Sequence, residues 1–175
     1  MSYDHDDHAG HEGVTSTAAI AGHPLHPAMI PFPIAFLTGA LLADIAFWQT
    51  GGAFWARAAM WLVGAGLVMG ALAAVLGLID FLTIERVRRL TIGWVHFIGN
   101  AAALLLSLVN LWLRLGDPAA AVLPWGLVLS AVVGLILVVT GWYGGELAYR
   151  HKIGVVGHDR ESRPEREVVR EKIRA

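Results

Sequence analysis

The sequence predicts an all-α protein: an integral membrane four-helix bundle with both termini in the cytoplasm. Three observations carry that prediction. Of 175 residues, 56% are hydrophobic and only 15% charged, with a mean hydropathy of +0.59, whereas soluble domains average about 25% charged residues. Four apolar runs reach the roughly 20 residues needed to cross a bilayer. The basic residues are spread unevenly about those runs, which sets their direction.

Residues 1–21 read as a disordered tail rich in histidine and acid. "DHDDHAGHEG" sets His5, His8 and His11 among Asp4, Asp6, Asp7 and Glu12, with no Lys or Arg. That composition is solvated rather than packed. An acidic start before a long apolar run is not a secretory signal, which has a basic n-region and a shorter core. "GHPLHP", Gly22 to Pro27, follows at the mouth of the first span. A residue before proline is pushed to extended or polyproline geometry, and polyproline II repeats every three residues. The segment is therefore expected to be a stiff, non-helical cap that points His23 and His26 the same way.

The spans are expected at about Ile30–Trp48, Phe54–Leu82, Ile92–Leu113 and Val122–Tyr149, within a transmembrane domain of residues 22–156. Pro31 and Pro33 are tolerable if the first helix begins near Pro31. The separators "QTGG", "IERVRRLT" and "RLGDPAAA" are short, so consecutive helices become antiparallel neighbours. Trp48, Trp55, Trp94, Trp112, Trp125 and Trp142 lie mostly near span ends, as aromatic belts require. Four spans put both termini and the second loop on one side. That side holds Arg86, Arg88, Arg89 and the eight basic residues from Arg150 onward, against Arg57 and Arg114 opposite. The positive-inside rule makes it cytoplasmic. The charged tail 157–175 alternates sign and would form at most a short surface helix carrying Val168, Val169 and Ile173.

Polar residues within spans must look into the bundle. His96, Asn100, Ala103, Ser107, Asn110 and Arg114 recur at steps of three and four on the third span, one face of a helix. The second span gives Gly66, Gly70, Ala73, Gly77 and Asp80 by the same rule, and the fourth ends near His151. Small residues on these faces serve close packing, and such glycine-rich faces also admit a homo-oligomer. His23, His26, His96, His151, Asp80 and Asn100 are thereby expected at one pole. Glu146 is the doubtful member, since a pair with Arg150 four residues on explains it.

Three functions fit that set. The first is haem b held between imidazoles, with His26 and His96 as the axial pair on diagonal helices, His151 as the substitute, and His23 and Asn100 alongside. Glycine-lined seams would admit the flat porphyrin. The second is a non-haem iron, zinc or copper ion on His26, His96, His151 and Asp80. The third is a cofactor-free accessory subunit of a membrane complex. Haem b electron transfer is the primary reading, with a redox partner alongside the lipid bilayer. In the outer layer, where no histidine reaches, Asp44, Arg57, Asn110 and Arg114 are expected to form a structural polar cluster. No cysteine is present, which excludes disulfides, iron–sulfur clusters, thiolate metal sites and covalent c-type haem. No phosphate loop or hydrolase elbow occurs, and basic residues are not interleaved with aromatics, so nucleic acid is not a partner.

"GHPLHPAMIPFPIAF", Asp44, "GLID", "VHFIGN" and "TGWYGGELAYRHKIGV" together resemble the family of small bacterial membrane proteins catalogued as transmembrane domain of unknown function 2231. The likeness covers about Gly22 to Val156. It implies four transmembrane helices in a bacterial inner membrane. Members are sometimes joined to Rieske or cytochrome c domains, which favours redox chemistry, but the family supplies no activity.

Overall fold

The computed structural model describes residues 13–155; His5, His8, His11 and the tail beyond Val155 lie outside them. Four helical segments are long and apolar enough to span a membrane: 25–50, 53–83, 91–114 and 118–149. The first is a short helix α1 (Leu25–Met29) leading into α2 (Pro31–Thr50), with Pro31 in its first turn. There the missing N–H has no intrahelical acceptor to lose. Gly51 in left-handed conformation ends α2, its N–H bonded to the Phe47 carbonyl at 2.7 Å.

Helix α3 (Ala53–Thr83) returns, and α4 (Glu85–Arg89) connects it to α5 (Thr91–Arg114). After α6 (Pro118–Ala121), capped by the Asp117 carboxylate, a π-helical turn at Val122–Gly126 kinks the chain at Leu123 before α7 (Leu127–Tyr149). Helix α2 packs on α3 and α7, and α5 packs on the same two. Helices α2 and α5 are therefore diagonal, as expected of an up-down bundle.

The burial pattern is that of a protein in lipid. Leu135, Val138 and Trp142 are 69%, 72% and 74% exposed on the outer surface, whereas Asp44 and Arg114 are 0% exposed. Apolar atoms face outward because hydrocarbon costs them nothing, and charges turn inward because hydrocarbon cannot solvate them.

Those inward positions repeat. Pro33, Leu37, Ala40 and Asp44 of α2 are buried, and so are Ala103, Ser107, Asn110 and Arg114 of α5, each 70 residues later. On the returning helices, Val63, Gly66 and Ala73 correspond to Ser130, Val133 and Thr140, each 67 residues later. The bundle is two parallel helical hairpins of matching register. Such a repeat places an approximate two-fold axis along the membrane normal.

The pole where residue 14 meets the segment after α7 is closed by a stretch the sequence assigned to a disordered tail. Val14 forms a parallel bridge with Ile153, its N–H bonding the Lys152 carbonyl at 2.9 Å and its carbonyl accepting from Gly154 at 2.7 Å. Val14 and Ile153 pack on Phe81, Ile84 and Val87. A two-residue hairpin, β1 (Ala19–Ile20) with β2 (His23–Pro24), then turns the chain through Ala21 and Gly22, both at positive φ. The ordered domain thus begins before residue 22.

"HPLHP" is not a polyproline cap. His23 lies in β2, and His26 sits inside α1 although proline follows it. Pro27 falls in the first turn of α1, where helical φ is natural and no N–H is needed.

Candidate functional site

Two side chains reach the interior below that lid. His26, on α1, donates from Nδ1 to the carbonyl of Ala73 on α3 at 2.8 Å. His96, on α5, donates from Nδ1 to the carbonyl of Thr140 on α7, also at 2.8 Å. A carbonyl can only accept, so both rings carry the proton on Nδ1 when neutral. The ring centroids are 6.2 Å apart and the planes nearly perpendicular, at 85°.

Neither Nε2 atom is bonded to another described residue, and no buried side-chain nitrogen or oxygen lacks a partner. Both Nε2 atoms therefore border accessible space. The bonding is that of ligating histidines, which commonly donate the second ring N–H to a backbone carbonyl.

The other predicted members stand elsewhere. His23 is exposed, its Nδ1 3.1 Å from the Ala21 carbonyl, so it does not project with His26. The hairpin turn, not proline, sets its direction. His151 lies past the end of α7, its backbone N–H reaching the Glu146 carbonyl at 3.2 Å; the ring contact at the site is between His26 and His96.

Asn100 donates to the His96 backbone carbonyl at 2.7 Å and accepts from Thr140 Oγ1 at 3.4 Å. It ties α5 to α7 and leaves both rings alone. Glu146 pairs with Arg150 at 2.8 Å.

Asp80 is turned away from the imidazoles. Its Oδ1 accepts from the Thr17 and Ala18 N–H groups at 2.9 and 3.0 Å, and from the Thr17 hydroxyl at 3.0 Å. Ser16 Oγ lies 2.9 and 2.7 Å from its two oxygens. The carboxylate is the clamp that holds the lid. Three of the seam glycines face close neighbours: a Cβ on Gly66 would meet Leu37, one on Gly77 would meet the His26 ring, and one on Gly144 the His96 ring.

Residues 22–157 match the family described as predicted membrane protein (DUF2231). The chain belongs to that family. Comparison with curated proteins and with solved structures returns no match. For this DUF2231 protein the chemistry must therefore be argued from the residues, and two layers of the bundle carry the polar ones.

The second layer lies towards the opposite pole. Arg114 grips Asp44 through two parallel bonds of 2.7 Å, Nη1 to Oδ1 and Nη2 to Oδ2. Ser130 Oγ donates to Asp44 Oδ2 at 2.6 Å, and Asn110 donates to Ser130 Oγ at 2.9 Å. Arg114 Nε donates to Asn110 Oδ1 at 2.9 Å, which closes the ring. Asp44, Asn110 and Arg114 meet as the sequence spacing suggested. Arg57 does not join them, being exposed one turn into α3. Ser130 completes the cluster; the signal that could have found it is the repeat, which pairs it with the inward Val63.

The same repeat was legible for the histidines. His26 and His96 are separated by the same 70 residues as Asp44 and Arg114. Each ring bonds a carbonyl four residues before a glycine that it touches, Ala73 with Gly77 and Thr140 with Gly144.

Proposed function

We propose that this protein is a haem b electron-transfer protein of the bacterial inner membrane, with His26 and His96 as the axial pair. The observation that carries the proposal is the pair of open Nε2 atoms. With the Nδ1–H tautomer on both rings, each Nε2 is left with a lone pair, so neither ring can satisfy the other. A Lewis-acidic centre satisfies both at once. Two imidazoles bound head-on to one ion, at about 2.0–2.1 Å each, have centroids roughly 6 Å apart.

The donor count favours a metal that brings its own equatorial ligands. Among the described residues no three His, Asp or Glu side chains are grouped to hold an ion, and Asp80 is committed to the lid. A bare zinc or iron would lack donors here, whereas a haem needs only two. When bound, haem would supply one-electron exchange. The protein's own groups do the rest: the Ala73 and Thr140 carbonyls fix the ring tautomer, and the spans exclude bulk water. The clamp of Asp80 on residues 16–18 covers the pole nearer the histidines, where a redox partner would dock.

The test is a visible spectrum of protein purified from haem-supplemented cells, with a pyridine haemochrome assay for stoichiometry. A low-spin b-type spectrum near one haem per chain, lost in His26→Ala and in His96→Ala while membrane insertion survives, is expected. A colourless protein that also fails to take up added haem removes the proposal. Periplasm-dependent reporters fused at the C-terminus should stay silent and those near Gly51 or Asp117 should respond; the reverse would move the histidine pole outside.

A further inference from the structure

The two imidazoles are seated by one device used twice. In each hairpin a histidine on the first strand of helix donates Nδ1–H to a carbonyl on the returning helix. The glycine one turn later lies under the ring. A methyl group built on Gly77 would lie 2.9 Å from Cε1 and Nδ1 of His26, and one on Gly144 would lie 3.0 Å from Cε1 of His96. Both distances are below ordinary van der Waals contact. The atoms met belong to the rings rather than to backbone, so the ring is what must yield.

The device has a clear physical purpose. A histidine bonded to a helical carbonyl must approach the helix closely, because that carbonyl is already the acceptor of the intrahelical bond from the residue four positions on. That residue is Gly77 for Ala73 and Gly144 for Thr140. Any side chain there stands beside the carbonyl and blocks the ring's approach. Removing Cβ at this one position admits the imidazole edge-on, and the second hydrogen bond to the carbonyl then fixes its rotation. The flanking glycine Gly141, where a Cβ would meet nothing within 4 Å, lacks this role although it lies on the same helix.

We propose that Gly77 and Gly144 are equivalent positioning residues, each seating one imidazole against the carbonyl one turn before it so that both Nε2 atoms face a shared ligand on the two-fold axis. The inference rests on His26 and His96 being the ligating pair, but its test does not require the cofactor. The atoms nearest each glycine belong to its own ring, so each glycine acts first on one imidazole. Disturbing one should leave the other in place.

The experiment is nitrogen NMR of histidine-labelled protein in lipid nanodiscs without added haem, assigned through His26→Gln and His96→Gln. In the wild type both rings should show protonated Nδ1 and bare Nε2. Gly77→Ala should abolish that signature at His26 alone and Gly144→Ala at His96 alone, with Gly141→Ala changing neither. Monodispersity and helical circular dichroism would show that the variants fold. Haem loading is then measured separately: each of the two variants should bind about 10–100-fold more weakly, the range for disturbing a ligand's supporting group, and should shift from low-spin towards high-spin. Unchanged tautomers in Gly77→Ala and Gly144→Ala, or both rings disturbed by either variant, would overturn the positioning role. If the tautomers respond as stated but the wild type takes up no haem, the positioning role stands and the haem assignment fails.

Discussion

The two polar layers of this bundle occupy equivalent places in the repeat and differ in one respect: one is closed and the other open. Positions 44 and 114 have become an acid and a base, and each answers the other with two short bonds while Ser130 and Asn110 take up the remaining capacity. Positions 26 and 96 have stayed identical, so they have no such answer. On the proposed reading, a bound haem answers both rings. A buried polar group is ordinarily hydrogen-bonded; the closed layer meets that rule within the protein, and on the proposed reading the open layer meets it through a ligand.

The comparison is broken most severely at the closed layer. Asp44→Asn or Arg114→Met removes half of a fully buried pair and strands the other charge, at a cost of about 3–5 kcal/mol. Thermal unfolding in detergent should show it, and any cofactor should remain in the folded fraction. The double variant Asp44→Leu with Arg114→Met should recover part of the loss, because no uncompensated charge is left. Cofactor loss with an intact fold in Asp44→Asn would show that the layer is not purely structural.

Next in size is the lid. Asp80→Ala removes a carboxylate that accepts from two N–H groups and two hydroxyls, and hydrogen bonds to a charged group are worth about 1.5–3 kcal/mol. Hydrogen exchange at the Thr17 and Ala18 amides should accelerate, with the spanning helices unaffected. Unchanged protection there would mean that the Val14–Ile153 bridge holds the segment alone.

The open layer should cost the fold less than its ligand. His26→Ala and His96→Ala each lose one ring hydrogen bond to a carbonyl, a net contribution of about 0.5–1.5 kcal/mol, so their melting temperatures should fall modestly while occupancy vanishes. A loss as large as that of Asp44→Asn would make the histidines structural and erase the contrast. The smallest effects belong to His23→Ala and His151→Ala, whose rings stand outside the pair and should change stability by no more than about 0.5 kcal/mol. Loss of haem in His151→Ala would reinstate it as a ligand.

Much of this was legible in the sequence because lipid leaves few options. A polar residue at a recurrent step of three or four must face inward, which placed His96, Asn110 and Arg114 without further information. Short loops forced α2 and α5 onto the diagonal, which placed His26 opposite His96. The failures at the histidine pole share a cause: they depend on what happens outside the spans, where water relaxes those constraints. Asp80 could as well have faced a metal as a backbone segment, and its partners Ser16, Thr17 and Ala18 sit in a stretch with no periodicity. His23 and His26 look paired by spacing, yet a turn at Ala21–Gly22 separates them. The correspondence between the halves, 70 residues on the first helices and 67 on the returning ones, was visible in the sequence, and it holds more information about the site than either half alone.

The bridge between Val14 and Ile153 joins the earliest and the latest parts of the described chain. During synthesis Val14 emerges well before its partner exists, so the lid has nothing to close against until the fourth helix is in place. His26 can settle on α3 as soon as the first hairpin is made, and His96 on α7 only after the second. For that interval the pole stands uncovered with its first imidazole already seated, and anything that must enter has its opportunity then. Closure of that pole therefore waits for the residues that follow α7.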